Sequence, residues 1–225
     1  MNIVLSFYYF IIFEKYLFNI VNLYIGIDQS INSTGICVKL YENKNLIKEH
    51  FYIITNKATK KALIYSETLD NFDYILYDKK EKSDAKDNNE FEQNKLLNNI
   101  LITDNILDII KSNMTSPLDR IYVGMEGISY QSGQTKSLLD LSGLSTLIRY
   151  RIYKYFQSHQ DNIGELKVFT PSEIKKFASG NGNCSKEVMI SLFKTAYKEI
   201  AQLPKIDDIA DAYWICTYFI EINKC

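Results

Sequence analysis

The apolar residues of this chain fall first into short continuous runs and later into stretches with helical spacing. Residues 21–28 and 120–126 are continuous apolar runs, a pattern that predicts buried strands. Residues 34–41 and 50–55 predict two more strands, which would form an antiparallel meander with the first run. Residues 166–169 predict a short fifth strand. The strands therefore divide into an antiparallel group of three and two later strands.

Helices are predicted between and after the later strands. Helical spacing of apolar residues predicts a helix over 96–110, a long helix over 134–156 and a last helix over 206–222. Residues 170–173 (Thr-Pro-Ser-Glu) have the composition of a capping box, which predicts another helix start. We therefore expect an α/β fold with a mixed five-stranded sheet, three antiparallel strands and then parallel strands, flanked by helices.

Two segments stand outside this pattern. Residues 78–95 are polar and charged, which predicts a solvated loop or insertion. The first 13 residues carry no charge, but they are too short to span a bilayer and lack the basic start of a signal peptide. We interpret residues 1–20 as an N-terminal extension, either an extra helix or strand or translation from an early Met. Residues 21–225 are then expected to form one domain.

The composition is ordinary for a soluble globular protein, but the charge is unevenly distributed along the chain. The 225 residues are 46% hydrophobic and 24% charged, with a net charge of −1, so the chain as a whole is not a basic nucleic-acid coat. Residues 131–200 hold ten Lys or Arg against six Asp or Glu, whereas residues 66–108 hold five against eleven. A basic region beside an acidic pocket suits a nuclease, although random surface charge explains the same numbers.

Cysteine and histidine are too sparse to suggest a zinc site. The chain has four Cys without a CxxC pair and only two His. A disulfide framework is not expected at this length, so the thiols should stay reduced in a cytosol-like compartment.

Two predicted strands end in an acidic residue. Asp28 ends the first strand and Glu126 ends the central one. An ionised carboxylate at the end of a buried strand is costly without a partner, which points to a bound cation. Asp28 could instead cap the following turn, and Glu126 could be an edge residue in a salt bridge.

A pair of acids begins the last helix. Asp208 and Asp211 are three residues apart, so both side chains emerge from one helix face and repel each other. A shared divalent cation would remove that repulsion, and oxygen-only ligands suit Mg²⁺ or Mn²⁺. Ala210 and Ala212 are small enough for this helix to approach a sheet closely. The acids could equally decorate a helix N-terminus, or Asp207 could pair with Asp211. The leading interpretation is a metal-dependent nuclease.

Four segments together resemble one known family. YIGIDQSINSTGI, VGMEG, TPSEIKKFASGNGNCSKEV and DDIADAYW, in this order, resemble the RuvC family of Holliday junction resolvases, within the ribonuclease H-like superfamily. The resemblance extends from residue 23 to about residue 220. The variation in the first 20 residues and the acidic stretch before Glu126 is similar to that of viral and phage members. The resemblance implies a ribonuclease H-like fold and a structure-selective endonuclease that resolves four-way DNA junctions in recombination, repair or replication.

The resemblance also implies roles for individual residues. Lys175 and Lys186 would contact DNA phosphates, and Lys186 would also stabilise charge that develops during cleavage. Tyr130 is the nearest candidate for an aromatic contact with bases, although it lies one position late. Two Mg²⁺ ions, with Mn²⁺ as a substitute, would be held by the four acids of the chain, Asp28, Glu126, Asp208 and Asp211.

The expected partners follow from the same resemblance. The long helix over 134–156 matches the helix that builds the family's homodimer, and four-way junction DNA would be the substrate. No membrane partner is expected. The family's location would be cytoplasmic or nucleoid-associated, or the replication site of a virus.

Three alternatives remain open on the sequence. A nuclease of the same fold could act on other branched DNA or on RNA–DNA hybrids, and a junction-binding protein could lack catalysis. An actin-like or sugar-kinase ATPase also begins with a strand, an Asp and a polar turn ending in Gly. That class normally needs two such domains, and it lacks a paired Asp-x-x-Asp helix.

Overall fold

One mixed sheet runs through the part of the chain that the structure, a computed structural model, describes: residues 21–116, 119–128, 135–158 and 164–223. Within these residues the sheet has six strands, in the order β4-β3-β2-β1-β5-β6. The strands are β1 (Val21–Asp28), β2 (Ser33–Glu42), β3 (Asn45–Thr55), β4 (Phe72–Leu76), β5 (Arg120–Glu126) and β6 (Gly164–Phe169).

The strand directions confirm the predicted arrangement, but the predicted number of strands is wrong. Strands β1, β2 and β3 pair antiparallel, and β5 and β6 continue the sheet in parallel on the other side of β1. The sixth strand is β4, which pairs parallel with β3 at the sheet edge. Four of its five residues are apolar, but only Phe72 is buried, and this short run was not predicted as a strand.

Helices cover both faces of the sheet. They are α1 (Lys60–Ser66), α2 (Asn88–Ser112), α3 (Thr135–Ser158), α4 (Pro171–Ser179), α5 (Lys186–Ala196) and α6 (Ile206–Ile222), with short 3₁₀ turns at Lys82–Asp84 and Ile200–Gln202. The capping box predicted before α4 is confirmed, because the Thr170 and Glu173 side chains each accept a backbone hydrogen bond from the other residue. Helix α1 was not predicted.

The prediction of a loop over residues 78–95 is wrong in its second half. Helix α2 begins at Asn88, and the Asp87 carboxylate accepts the Glu90 N–H at 2.8 Å as its N-cap. The first turns of α2 are mostly polar and exposed, so the apolar periodicity becomes visible only near Leu96. A polar helix start of this kind is recognisable by its cap rather than by hydrophobic spacing.

Successive side chains of β1 point to opposite faces of the sheet and pack in two different cores. Leu23, Ile25 and Ile27 pack in the core that contains the buried faces of α2 and α3. Tyr24 packs in the core on the opposite face of the sheet, which contains buried residues of α6. Because successive strand residues point to opposite faces, Asp28 lies on the same face as Tyr24 and α6.

Helix α6 lies unusually close to β1 and β2. A Cβ atom added at Gly26 would lie 2.1 Å from the Ala212 carbonyl oxygen, and one added at Gly35 would lie 2.2 Å from the Asp208 carbonyl oxygen. Ala210 and Ala212 are fully buried, as expected for small residues that allow this approach. The backbone of α6 therefore rests directly on two glycines of the sheet.

Several predictions fall outside the described residues. The N-terminal extension 1–20 and Tyr130 belong to this group. Within the described part of the chain, no helix is both long and apolar enough to cross a membrane. Cys37, Cys184 and Cys216 are buried free thiols.

Candidate active site

Asp28 and Glu126 end two neighbouring strands, β1 and β5, and both residues lie at the same edge of the sheet. Strands β1 and β5 are parallel neighbours in which Ile27 pairs with Met125. The next residues along the two strands are Asp28 and Glu126, and the strand alternation directs both towards the α6 face. The register of one parallel pair therefore brings two carboxylates together that are far apart in sequence.

The close contact between α6 and Gly35 brings the acids of α6 to the same edge of the sheet. Asp28 pairs with Gly35 in the β1–β2 ladder, and the Asp208 backbone packs on Gly35. This chain of contacts positions the Asp208 side chain beside Asp28. One helical turn later, Asp211 lines the same cavity as Asp28 and Glu126. The four acids that the sequence singled out therefore lie in one place.

Burial and mutual repulsion favour the protonated forms of these acids. Burial raises the pKa of Asp28 well above its ordinary value, and the charges of Asp211, Glu126 and Asp208 raise it further. Burial, followed by the charge of Asp211, raises the pKa of Glu126 to about 7. Burial raises the pKa of Asp208 to about 6. A site of this kind holds all its negative charges at neutral pH only when cations accompany them.

Lys186 supplies a positive charge to the acidic cluster. Its Nζ atom lies 3.0 Å from Asp211 Oδ2 and 3.3 Å from Asp207 Oδ2. Burial alone would lower the pKa of Lys186, but the carboxylates, Asp211 foremost, raise it above its ordinary value. Asp207, the alternative partner for Asp211, instead pairs with Lys186, and its side chain is 45% exposed. Lys186 is the first residue of α5, so the start of this helix faces the start of α6.

Lys175 approaches the same acids from α4. It lines the cavity, and its charge lowers the pKa of both Glu126 and Asp211. Helices α4 and α5 thus each contribute one lysine to the site. Of the seven site residues predicted from the sequence, the six that the structure describes are brought together here.

The cavity has a polar side and an apolar side. Its volume is about 590 Å³. Acids and lysines line the polar side, and apolar residues from α3, α4, α5 and α6 line the rest, including Leu138, Leu141, Ile174, Met189 and Ile215. A groove with charged and apolar walls can contact both the phosphates and the sugar or base surfaces of a nucleic acid.

Gln29 is a site residue that the sequence analysis missed. Its Nε2 atom donates a 2.7 Å hydrogen bond to the Glu126 backbone carbonyl and so links the ends of β1 and β5. Its Oε1 atom is buried and has no hydrogen-bond partner among the described residues. The available signal was its position directly after Asp28. Gly35 was also missed, although its place opposite Asp28 in a hairpin was readable once the β1–β2 pairing was assumed.

The chemistry of the donors fits a hard divalent cation. The site offers carboxylate oxygens and the unpartnered Gln29 oxygen, the ligand types that Mg²⁺ and Mn²⁺ prefer. As the side chains are arranged, however, the described residues contain no group of three or more Asp, Glu, His or Cys that could hold a metal ion. The Lys186 ammonium group lies 3.0 Å from Asp211 Oδ2, so a metal ion bound to this oxygen would have to displace it. Metal binding would require these side chains to turn towards a common point.

Neither a protein-family model nor a curated protein matches the chain. Among solved structures, it is similar to the "Thermus thermophilus RuvC structure", with 14% identity and a TM-score of 0.47 over 91% of this chain and 97% of that chain. T. thermophilus RuvC in complex with Holliday junction substrate gives 13% identity and a TM-score of 0.46 over 91% and 96%. The yeast mitochondrial Holliday junction resolvase Ydc2 gives 15% identity and a TM-score of 0.46 over 88% and 77%.

Proposed function

We propose that this protein is a metal-dependent endonuclease that hydrolyses phosphodiester bonds of four-way DNA junctions. One observation carries the proposal: four carboxylates from β1, β5 and α6 meet at one edge of the sheet, and three of them, Asp28, Glu126 and Asp211, line a cavity together with two lysines. Buried acids that oppose one another's ionisation are typical of a functional site rather than of a stabilising one. The choice of a four-way junction as substrate follows from the motif resemblance.

The residues have distinct roles in this proposal. Asp28, Glu126, Asp208 and Asp211 would hold two Mg²⁺ ions, or Mn²⁺ in their place. When bound, such ions supply Lewis acidity that activates water as a nucleophile and stabilises the departing oxygen. Lys175 would bind a phosphate at the rim.

Lys186 would have two successive partners. Without a metal its ammonium neutralises Asp211 at 3.0 Å. With Asp211 engaged in holding a metal ion, the Lys186 ammonium would be available to bind the phosphate and to stabilise the charge that develops on it. The same lysine would thereby couple metal occupancy to phosphate binding.

Paired cutting of a four-way junction requires two sites, and we propose that a homodimer supplies them. Helix α3 exposes Leu139 at 71%, Tyr150 at 56% and Tyr153 at 57%. Their spacing of 11 and 14 residues returns each side chain to nearly the same side of a helix. An exposed apolar stripe of this length suits a second copy of the same helix.

The direct test incubates the purified protein with a synthetic four-way junction, a flap, a linear duplex and an RNA–DNA hybrid, each with Mg²⁺ or with EDTA. The expected result is a pair of symmetric cuts in the four-way junction, only when Mg²⁺ is present. Cutting of the flap or the hybrid instead would favour the alternative substrates. Absence of cutting in all four, with an intact fold, would contradict the nuclease assignment. No feature of the described residues favours the ATPase alternative.

A further inference from the structure

Two lysines from distant parts of the chain meet at the β1–β2 turn, which forms one wall of the cavity. Lys79, which follows β4, has its Nζ atom 2.9 Å from Asn32 Oδ1. Lys205, which precedes α6, has its Nζ atom 3.4 Å from the Asn32 carbonyl oxygen and 3.0 Å from Thr55 Oγ1. Asn32 is exposed and lines the cavity together with Asp28. The turn therefore presents two ammonium groups at the cavity rim.

These lysines lie on a different side of the acids from Lys175. Thr55 is the last residue of β3, and Lys79 follows the end of β4. Both strands lie beyond β2 on one side of β1. Helix α4, which carries Lys175, follows β6 on the other side of β1 and β5. The acids at the ends of β1 and β5 are thus flanked by basic residues on both sides.

Neither lysine is paired with a carboxylate among the described residues, although the positive charge of Lys205 opposes the rise in the pKa of Asp208. In the described residues, neither Nζ atom has a carboxylate oxygen within 4.0 Å, whereas the neighbouring Lys57 and Lys80 are paired with Glu81 and Asp78. The contacts of Lys79 and Lys205 are neutral oxygens, which orient an ammonium group without cancelling its charge. Two cations held against one residue repel each other, and an anion placed beside both would relieve that repulsion.

The backbone at Lys205 also departs from ordinary geometry. Its φ of 60° and ψ of 33° are left-handed, a conformation that residues other than Gly, Asn and Asp seldom adopt. The left-handed backbone is one that glycine adopts without strain, so Lys205 can be replaced by glycine without a change of backbone conformation. Glycine there would suit the backbone better but would lack the charge.

We propose that Lys79 and Lys205 form a second phosphate-binding rim, which holds the DNA backbone on the β3–β4 side of the acidic cavity. The inference rests on the proposed nuclease function and extends it to the path of the substrate. A strand crossing the cavity would contact Lys175 on one side of the cleavage position and Lys79 and Lys205 on the other, with Lys186 at the acids themselves. Contacts on both sides keep the strand in register over the acids, because phosphate contacts position a nucleic acid without reading its sequence.

The test measures junction binding separately from cleavage. All variants are made in the Asp28→Asn background, and binding of a fluorescently labelled four-way junction is followed by anisotropy in Mg²⁺ across a series of KCl concentrations. Lys205→Gly removes the ammonium and suits the left-handed backbone, and Lys79→Gln removes the charge but retains a donor for Asn32. Each change should weaken binding and make the negative slope of log K against log salt concentration shallower by about one.

A closely matched control exists at the far end of the sheet. Lys44 is exposed and also left-handed, with a φ of 67°, in the turn that joins β2 to β3. Lys44→Gly should leave both the affinity and the salt slope unchanged. Melting temperatures of all variants check that each remains folded.

The outcomes separate this inference from the proposed function. If Lys186→Ala lowers the salt slope while Lys79→Gln and Lys205→Gly leave it unchanged, the second rim is wrong and the nuclease proposal stands. If Lys205→Gly alters only the stabilisation by Mg²⁺, Lys205 is a counter-ion for Asp208, and the rim is wrong. If the Asp28→Asn parent binds neither the junction nor any other DNA, the rim and the nuclease proposal fail together.

Discussion

The Lys186 Nζ atom lies 3.0 Å from Asp211 Oδ2, so a residue expected to bind phosphate contacts one expected to bind metal. The contact forms because the first residue of α5 faces the first turns of α6. The contact joins two residues that lie on different helices and have different expected roles. Any cation that binds Asp211 must compete with this ammonium group, and any change at Lys186 must alter the charge balance of the acids.

Replacing Lys186 with Ala should slow junction cleavage by about a hundredfold or more, because a donor to the charged phosphate is lost. The salt dependence of junction binding should also become flatter. Cleavage rates and a salt titration measure both effects. Lys194→Ala, at an exposed position on the same helix, is the control and should behave as the unmodified protein. An unchanged rate and slope in Lys186→Ala would remove this residue from the site.

Asp28→Asn should reduce cleavage by at least about a hundredfold while leaving the fold and junction binding nearly intact. Asp28 is buried among three other acids, so a neutral residue there relieves repulsion even as it removes a metal ligand. The metal-free variant should therefore melt at or above the temperature of the unmodified protein. Asp108→Asn, on the exposed side of α2, serves as the control for both measurements. Cleavage at the original rate would show that Asp28 does not hold a catalytic metal.

The acidic cluster should make the metal-free protein less stable as the pH rises. The folded-state pKa values of Glu126, about 7, and Asp208, about 6, lie above the ordinary values of 4.5 and 3.8. Protonated acids therefore favour the fold, and this contribution is complete below about pH 4 and lost as the pH rises through 6 and 7.

Thermal melting in EDTA and in Mg²⁺, at pH 5 and at pH 8, measures this effect. Mg²⁺ should raise the melting temperature by several degrees at pH 8 and by much less at pH 5, since about 1 kcal/mol shifts the midpoint by about 2–4 °C at this chain length. Glu126→Gln should reduce the difference between the two pH values. Equal stabilisation by Mg²⁺ at both would contradict binding to these carboxylates.

Gly35→Ala should impair both stability and cleavage. The added Cβ would lie 2.2 Å from the Asp208 carbonyl oxygen, so α6 would have to move away from the sheet. We expect destabilisation by about 1–3 kcal/mol, together with a large loss of activity, because Asp208 would leave the other acids. Chemical denaturation and cleavage assays measure these two effects.

Gly143→Ala provides the comparison for Gly35. A Cβ at Gly143 would meet its nearest atom, Asn99 Nδ2, only at 4.0 Å. Within helix α3 this change should be neutral or stabilise by up to about 1 kcal/mol. Full activity in Gly35→Ala would show that the close approach of α6 is not required for the site.

Light scattering should show a homodimer that depends on the exposed stripe of α3. The double substitution Leu139→Ser with Tyr153→Ser replaces two of its largest exposed apolar side chains and should yield monomers. The monomers should cut one strand of a junction rather than two in a paired fashion. Leu192→Ser, at a position 42% exposed on α5, is the control. A monomeric unmodified protein at micromolar concentration would contradict the proposed dimer.

Several features of this protein were predictable from local sequence alone. The bounds of β1 and β5 agree with their apolar runs, and the capping box located the start of α4, because these signals depend only on adjacent residues. The polar start of α2 was not predictable from periodicity, since a solvated helix turn shows no apolar pattern. Edge strand β4 was missed although four of its five residues are apolar, because so short a run, broken by Asp73, does not by itself distinguish a strand from a helix segment. The four acids were recognisable as candidates by type and order, while their common position was an expectation.

By itself, the sequence determined which residues bear charge, which strands are buried and where acids end them. Tertiary structure alone decided that the β1–β5 register and the contact of α6 with Gly26 and Gly35 bring those acids together at one edge of the sheet. It also decided that Lys186 pairs with Asp211, and that Lys79 and Lys205 converge on Asn32. The physical reason is that hydrophobic spacing and capping act over a few residues. Charge interactions between distant segments depend on register and packing distance, which no local pattern encodes.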